Sequence, residues 1–173
     1  MRLFHVSEES GIDTFIPRIP ERNDLSKSKG LVWAINEQCL FTFLTPRECP
    51  RVAYYASKTT SQEDIAKYFS TPFHRCIAVE YGWFERTAKT TLYLYEFNLS
   101  NFYSQDTVAG YYVSEQAETP VNVTKIDDLF AALFERSVEV RLINNLWALG
   151  DAVQESTLNW GLFDMWNALP RPQ

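Results

Sequence analysis

The run Thr91–Phe97 constrains the fold of this chain more than any other segment. In an extended strand, Leu92 and Leu94 fall on one face, and two tyrosines and Phe97 fall on the other. Because both faces are apolar, the pattern predicts a central strand that is covered on both sides. A sheet with buried faces is therefore expected at the centre of the fold.

Strand-like runs recur along the whole chain and set the fold class. Helical patterns lie between them without a regular strand–helix alternation, which favours an α+β class over α/β. We therefore predict a single α+β domain over residues 1–173, with mixed, mostly antiparallel sheets and flanking helices. The predicted strands are 2–6, 31–35, 51–56, 76–81, 91–97, 109–114, 119–124 and 138–143.

Capping signals predict where the helices begin. Ser61 and Asp127-Asp128 each precede an amphipathic run, as helix N-caps do. Asn36 can cap a further helix, and Thr45-Pro46-Arg47-Glu48 matches a capping box with proline at the first helical position. The last helix is expected to begin at Asn145 or at the residue before it.

The charge balance argues against a nucleic-acid partner. The 173 residues carry 16 Lys and Arg against 22 Asp and Glu, a net charge of −6, and no Lys/Arg run occurs. Binding to a phosphate backbone requires clustered positive charge. Hydrophobic residues make up 46% of the chain, which is enough for a folded core. We therefore expect a globular protein that binds no nucleic acid.

The cysteines and the N-terminal sequence indicate a soluble cytoplasmic protein. Cys39, Cys49 and Cys76 form no Cys-x-x-Cys pair and are odd in number, which favours thiols in a reducing compartment. Neither a secretory signal nor a membrane-spanning apolar run occurs, so no membrane association is expected. Cys49 lies between Arg47 and Arg51 in the sequence. Either these positive charges lower the pKa of its thiol, or Cys49 is a buried, inert thiol. Because histidines and cysteines are scattered, no metal is expected.

The opening of the chain carries a family resemblance. Leu3-Phe4-His5-Val6-Ser7, followed by Phe15 and Pro17-Arg18, resembles an uncharacterised bacterial domain family over most of the chain. More remotely, the chain is similar to the ADP-ribosyltransferase-like superfamily. In that superfamily a His or Arg on the first strand, an aromatic residue or Ser on a middle strand, and a Glu on a later strand converge on NAD. The segment Gly110–Glu115 is where the last element would lie.

The superfamily resemblance implies an NAD- or nucleotide-using transferase or glycohydrolase. Cleavage of the nicotinamide–ribose bond passes through an oxocarbenium-like state, as glycoside cleavage does. The resemblance implies that Glu115 stabilises this positive charge and that His5 binds a ribose hydroxyl. Both are the predicted catalytic residues. The predicted cofactor-binding residues, for pyrophosphate and ring contacts, are Ser7, Arg18, Trp33 and Tyr112.

One position departs from the transferase pattern and keeps other functions open. Active members usually have Glu or Gln two residues before the catalytic Glu, or a clear Tyr partner, whereas Val113 stands two residues before Glu115. This departure argues against transfer to proteins and leaves a reaction on a small molecule, or no reaction.

The alternative is a non-catalytic domain on the same scaffold that binds a small ligand or a protein. It predicts that His5 packs into the core and that Glu115 lies in solvent. A third hypothesis is self-association through exposed aromatic residues near the C-terminus, namely Trp160, Phe163 and Trp166. We expect a small nucleotide as the partner of a monomer or weak homodimer.

Overall fold

The predicted α+β class is confirmed. A computed structural model describes residues 1–20 and 27–172, and this part of the chain contains ten β-strands and four α-helices. The strands are β1 (Leu3–Ser7), β2 (Val32–Asn36), β3 (Arg51–Tyr55), β4 (Arg75–Glu80), β5 (Leu92–Phe97), β6 (Tyr103–Asp106), β7 (Tyr111–Ser114), β8 (Asn122–Ile126), β9 (Glu139–Ile143) and β10 (Asn159–Phe163). The helices are α1 (Gln62–Tyr68), α2 (Phe84–Lys89), α3 (Leu129–Glu135) and α4 (Trp147–Gln154).

The chain divides into two compact units, each built from two separate stretches. The first unit comprises Met1–Phe43 and Leu92–Ile126, and the second comprises Leu44–Thr91 and Asp127–Gln173. Each unit contains one of the two sheets. The assignment of residues 1–173 to one domain stays a prediction.

The first unit is built on a six-stranded antiparallel sheet with the order β6-β7-β2-β1-β5-β8. β5 lies between β1 and β8, and both Leu94 and Tyr95, which point to opposite faces, are buried. The prediction from Thr91–Phe97 of a strand covered on both sides is therefore confirmed. One face carries a core cluster formed by Leu3, Val32, Ala34, Phe97 and Phe102.

The second unit is built on a four-stranded sheet with the order β10-β3-β4-β9. Its only parallel pair among the described strands is β4 with β9. Every residue of β3 is buried, as expected for an interior strand. α4 packs on β3 and β10, where Gly150 lets the helix approach Leu162 closely. The core cluster of this unit contains Val52, Tyr54, Tyr68, Cys76, Ala78, Leu146, Val153 and Leu158.

Two predicted helix caps are confirmed at atomic detail. The Ser61 hydroxyl accepts a hydrogen bond from the Asp64 amide at the start of α1, at 3.1 Å. The Asp128 carboxylate accepts one from the Ala131 amide at the start of α3, at 2.9 Å. Such caps satisfy amides that have no partner within the helix and contribute about 1 kcal/mol each.

The helix predicted from Thr45-Pro46-Arg47-Glu48 is wrong. This segment forms a turn, and Glu48 has a φ of 62°, a left-handed conformation that no α-helix accommodates. The helix predicted to follow an Asn36 cap is only a short 3-10 helix at Leu40–Phe43, and a turn separates it from Asn36, the last residue of β2. The Oδ1 of Asn36 accepts from the Cys39 amide within this turn, at 2.9 Å. None of the four described α-helices is long and apolar enough to span a membrane.

Candidate functional site

The sheet of the first unit places the predicted site residues on two different faces. β1 and β2 are in register at Phe4 and Ile35, and side chains alternate along each strand. Trp33 therefore lies on the face opposite to His5. Tyr112 pairs with Ala34, which follows Trp33 on β2 and therefore lies on the other face. Tyr112 thus shares the face of His5. We call this surface the His5 face; Ser7, two residues after His5, also belongs to it.

His5 completes the hydrogen bonding of a strand carbonyl. Its Nδ1 lies 3.1 Å from the carbonyl oxygen of Trp33, and a carbonyl can only accept, so Nδ1–H is the donor. The imidazole also packs against the Phe15 ring, with 4.7 Å between ring centroids. His5 is therefore half-buried beneath an aromatic ring, and Nε2 remains as an acceptor.

Burial lowers the pKa of His5 below its ordinary value of 6.5. The hydrogen bond to the Trp33 carbonyl opposes this effect, and the positive charge of Arg18 adds to the lowering. The imidazole is consequently neutral at pH 7. The same interaction shows that the guanidinium of Arg18 lies in the electrostatic environment of His5.

We expect the free energy of unfolding to decrease as the pH falls from about 7 to about 5. The unfolded chain protonates His5 near pH 6.5, whereas the folded protein resists protonation because the pKa is lowered. The unfolded state thus binds more protons over this interval. The stability contributed by neutral His5 is fully present above pH 6.5 and is lost as the pH falls toward the lowered pKa.

A His5→Asn variant is the matched comparison, because it keeps an N–H donor but does not titrate. Urea unfolding of both proteins across this pH range should show a shallower decline for the variant. The hydrogen bond from Arg2 lowers the pKa of Glu96 below 4.5, so the titration of this carboxylate falls below the pH range of the measurement. Equal declines in both proteins would contradict the assignment to His5.

Arg18 presents an exposed positive charge beside the His5 face. Its backbone amide and carbonyl pair with Leu31, at 3.1 and 2.8 Å, in an isolated bridge. Within residues 1–20 and 27–172, its guanidinium makes no hydrogen bond or ion pair. A guanidinium in this state can receive a carboxylate or phosphate through two parallel hydrogen bonds.

Glu115 is held in a surface ion pair. Lys29 Nζ donates to Oε2 at 2.7 Å, and the Tyr103 hydroxyl donates to Oε1 at 3.2 Å. The hydrogen bond from Lys29 is the main reason why the pKa of Glu115 is lowered. Both carboxylate oxygens are engaged, and the described contacts do not join Glu115 to His5 or Arg18.

The remaining predicted binding residues have structural roles in the described contacts. Ser7 Oγ accepts from the Glu9 amide at 3.0 Å and so forms the turn after β1. Tyr112 packs against the core cluster of the first unit, as Phe15 also does. The ring of Trp33 meets that of Tyr111 edge to face on the opposite side of the sheet, at 5.6 Å between centroids.

Tyr95 fastens the segment that follows β1 over the His5 face. Its buried hydroxyl donates to the Glu9 carbonyl at 2.7 Å and accepts from the Ile12 amide at 3.2 Å. Its ring also meets Phe15 edge to face. The sequence indicated only that Tyr95 is a strand residue. No sequence pattern reveals that its hydroxyl bonds to backbone groups more than eighty residues earlier in the chain.

A buried carboxylate lies beside the same segment and was not predicted. The Ser114 hydroxyl donates to Glu118 Oε1 at 2.5 Å, and both residues are buried. The backbone of Glu118 pairs with that of Phe15. Glu118 lies three residues after Glu115, and the fold withdraws its carboxylate from water. Its position in a polar stretch of sequence gave no sign of this burial.

Cys49, in the second unit, is an inert thiol. Burial raises its pKa to about 12, although the charge of Arg51 acts in the opposite direction. The thiol is thus protonated at neutral pH, which excludes the alternative of a lowered pKa. Across the residues that the structure describes, no three His, Cys, Asp or Glu side chains come together as a metal site.

Comparison with known proteins identifies a family but no activity. A model described as a family of unknown function (DUF6886) matches residues 4–168. No curated protein and no solved structure matches the chain. The match covers nearly the whole chain and agrees with the resemblance to an uncharacterised domain family.

Proposed function

Since the chain belongs to this family of unknown function, DUF6886, we propose from its own geometry that it is a non-catalytic binding domain for a small phosphate-bearing ligand. The ligand class is a nucleotide, and the binding site is Arg18 together with the half-buried imidazole of His5. One observation carries the proposal. The exposed guanidinium of Arg18, which has no partner among the described residues, belongs to a segment that pairs with Leu31, two residues before the Trp33 carbonyl that the half-buried His5 binds. The charge of Arg18 contributes to the lowered pKa of that imidazole.

Arg18 and His5 suit the two chemical parts of a nucleotide. A guanidinium binds phosphate oxygens bidentately, and it is always charged. His5 is neutral, so it neither competes for the phosphate nor repels Arg18. With Nδ1–H used on the Trp33 carbonyl, Nε2 can accept a hydrogen bond from a ribose hydroxyl.

The same contacts support binding better than catalysis. Glu115 is occupied by Lys29 and Tyr103, and Trp33 lies on the opposite face from His5. The residues therefore suit the diphosphate of NAD, but they do not bring a carboxylate and a stacking ring to its nicotinamide. NAD is accordingly proposed as a ligand, and ADP-ribosyl transfer is the second candidate.

Calorimetric titration with ADP and with NAD tests this site. We expect saturable binding by the wild type and a loss of at least about tenfold in affinity for Arg18→Ala, since a charge-assisted hydrogen bond contributes about 1.5–3 kcal/mol. Arg18→Lys should fall between them, because an ammonium lacks the bidentate fork. Arg47→Ala, which removes an exposed arginine from the second unit, is the matched control and should bind normally.

Two results would overturn the proposal. The first is the absence of saturable heat with both ligands in the wild type. The second is an equal loss in Arg18→Ala and Arg47→Ala, which would indicate nonspecific attraction. A third result would favour the second candidate. If the wild type releases nicotinamide from NAD and the Glu115→Gln variant does not, ADP-ribosyl transfer replaces the binding proposal.

A further inference from the structure

Four aromatic residues form a continuous surface in the second unit, here called the aromatic strip: Tyr81, Phe84, Phe130 and Phe134. The rings of Tyr81 and Phe84 are nearly parallel, at 4° and 6.3 Å between centroids. Phe84 and Phe130 stack at 5.5 Å, and Phe134 lies one helical turn beyond Phe130 on α3. The strip therefore runs from the start of α2 along α3.

The helices present this strip outward because their buried sides are occupied by other residues. α3 buries Leu129 and Leu133 in the core, which turns Phe130 and Phe134 away from it. α2 buries Thr87, whose hydroxyl donates to the Trp83 carbonyl at 2.8 Å. The aromatic rings thus lie outside the hydrophobic core.

The exposed area of the strip is unusual for a surface without a partner. Tyr81 is 65% exposed, Phe134 is 61% exposed and Phe84 is 40% exposed. Single exposed apolar residues are normal, whereas contiguous ones mark interaction surfaces. Aromatic residues are also enriched at the cores of protein interfaces.

We propose that the aromatic strip is the interface of a homodimer, in which α2 lies antiparallel to the α2 of a second copy. The charges beside the strip identify this occupant. Glu85 and Lys89 lie one turn apart on α2, are strongly exposed, and pair only loosely at 3.4 Å. Around a two-fold axis, Glu85 faces Lys89 of the partner subunit, and the reverse pair forms by symmetry.

The C-terminal aromatic residues are a weaker alternative for self-association. Trp166 is 79% exposed, but it makes no ring contact with another described aromatic residue. Phe163 is covered by the guanidinium of Arg51, at 4.5 Å from its ring centroid. Among the described residues, Trp166 therefore lacks the ring stacking that joins Phe84 to Phe130.

Charge reversal tests the antiparallel pairing directly. Sedimentation equilibrium of the wild type should show concentration-dependent dimers, with Kd weakened at least about tenfold in Glu85→Lys and in Lys89→Glu, because like charges then face each other. The double variant Glu85→Lys/Lys89→Glu should recover the wild-type Kd. An equimolar mixture of the two single variants should form a heterodimer, since the Lys-rich and Glu-rich helices then meet.

Two further variants separate the strip from other surfaces. Phe134→Glu should be monomeric, while Trp166→Glu should dimerise as the wild type does, and circular dichroism should show that both are folded. A wild type that is monomeric at all concentrations would overturn the proposal. So would dimers that persist in Phe134→Glu, or single charge reversals that leave Kd unchanged.

Discussion

Replacing Arg51 by alanine is expected to lower the free energy of unfolding by about 3 kcal/mol. Arg51 is 4% exposed at the start of β3. Its Nη1 donates to Asp164 Oδ2 at 2.8 Å and to the Cys49 carbonyl at 2.9 Å. Removing the guanidinium leaves the Asp164 carboxylate without this counter-charge. Because that side chain is 23% exposed, water partly hydrates it, and the loss should lie near the lower end of the range for buried pairs.

Two comparisons make this expectation specific. Arg171→Ala removes another arginine–aspartate pair of the second unit, but the pair with Asp151 is half-exposed, so we expect a loss of less than about 1 kcal/mol. Asp164→Asn keeps an oxygen acceptor and suits the φ of 51° at this position, so it isolates the effect of charge. Urea unfolding measures all three variants. A loss for Arg51→Ala no larger than that for Arg171→Ala would contradict the expectation.

Gly110→Ala is expected to lower the free energy of unfolding by about 2–5 kcal/mol, from left-handed strain of about 1–2 kcal/mol plus overpacking of about 1–3 kcal/mol. Gly110 has a φ of +76°. A Cβ atom there would lie 2.7 Å from Asn36 Oδ1 and 2.8 Å from Cys39 Sγ. The Gly110 carbonyl also accepts from the Asn36 amide at 2.9 Å, so the backbone cannot move away without losing that bond.

Gly11→Ala separates strain from crowding. Gly11 has a φ of +73°, close to that of Gly110, but a Cβ atom there would meet nothing within 4 Å. We expect a loss of about 1–2 kcal/mol for Gly11→Ala, from backbone strain alone. Denaturant unfolding of the two variants gives the difference, which measures the crowding at Asn36 and Cys39. Equal losses would show that the loop around Gly110 adapts at no cost.

The strands that sequence patterns predicted are those that carry either an apolar run, as β3 and β4 do, or a recognisable alternation of side chains. β5 was predicted correctly because both of its faces are apolar, and β9 because apolar and charged residues alternate along it. β6 was missed because its four residues are all exposed and carry no pattern. β10 was also missed, since only its pairing with β3 makes Asn159–Phe163 a strand.

The sequence by itself determined the fold class, most strands, the Ser61 and Asp128 caps, and a histidine on the first strand. Tertiary structure decided what those side chains meet. His5 bonds to a carbonyl 28 residues away, and Glu115 to a lysine 86 residues away. The reason lies in strand register, which long-range pairing sets and which moves a side chain to the other face with each shift of one residue. Local patterns identify a strand, but its neighbours decide which residues share a face.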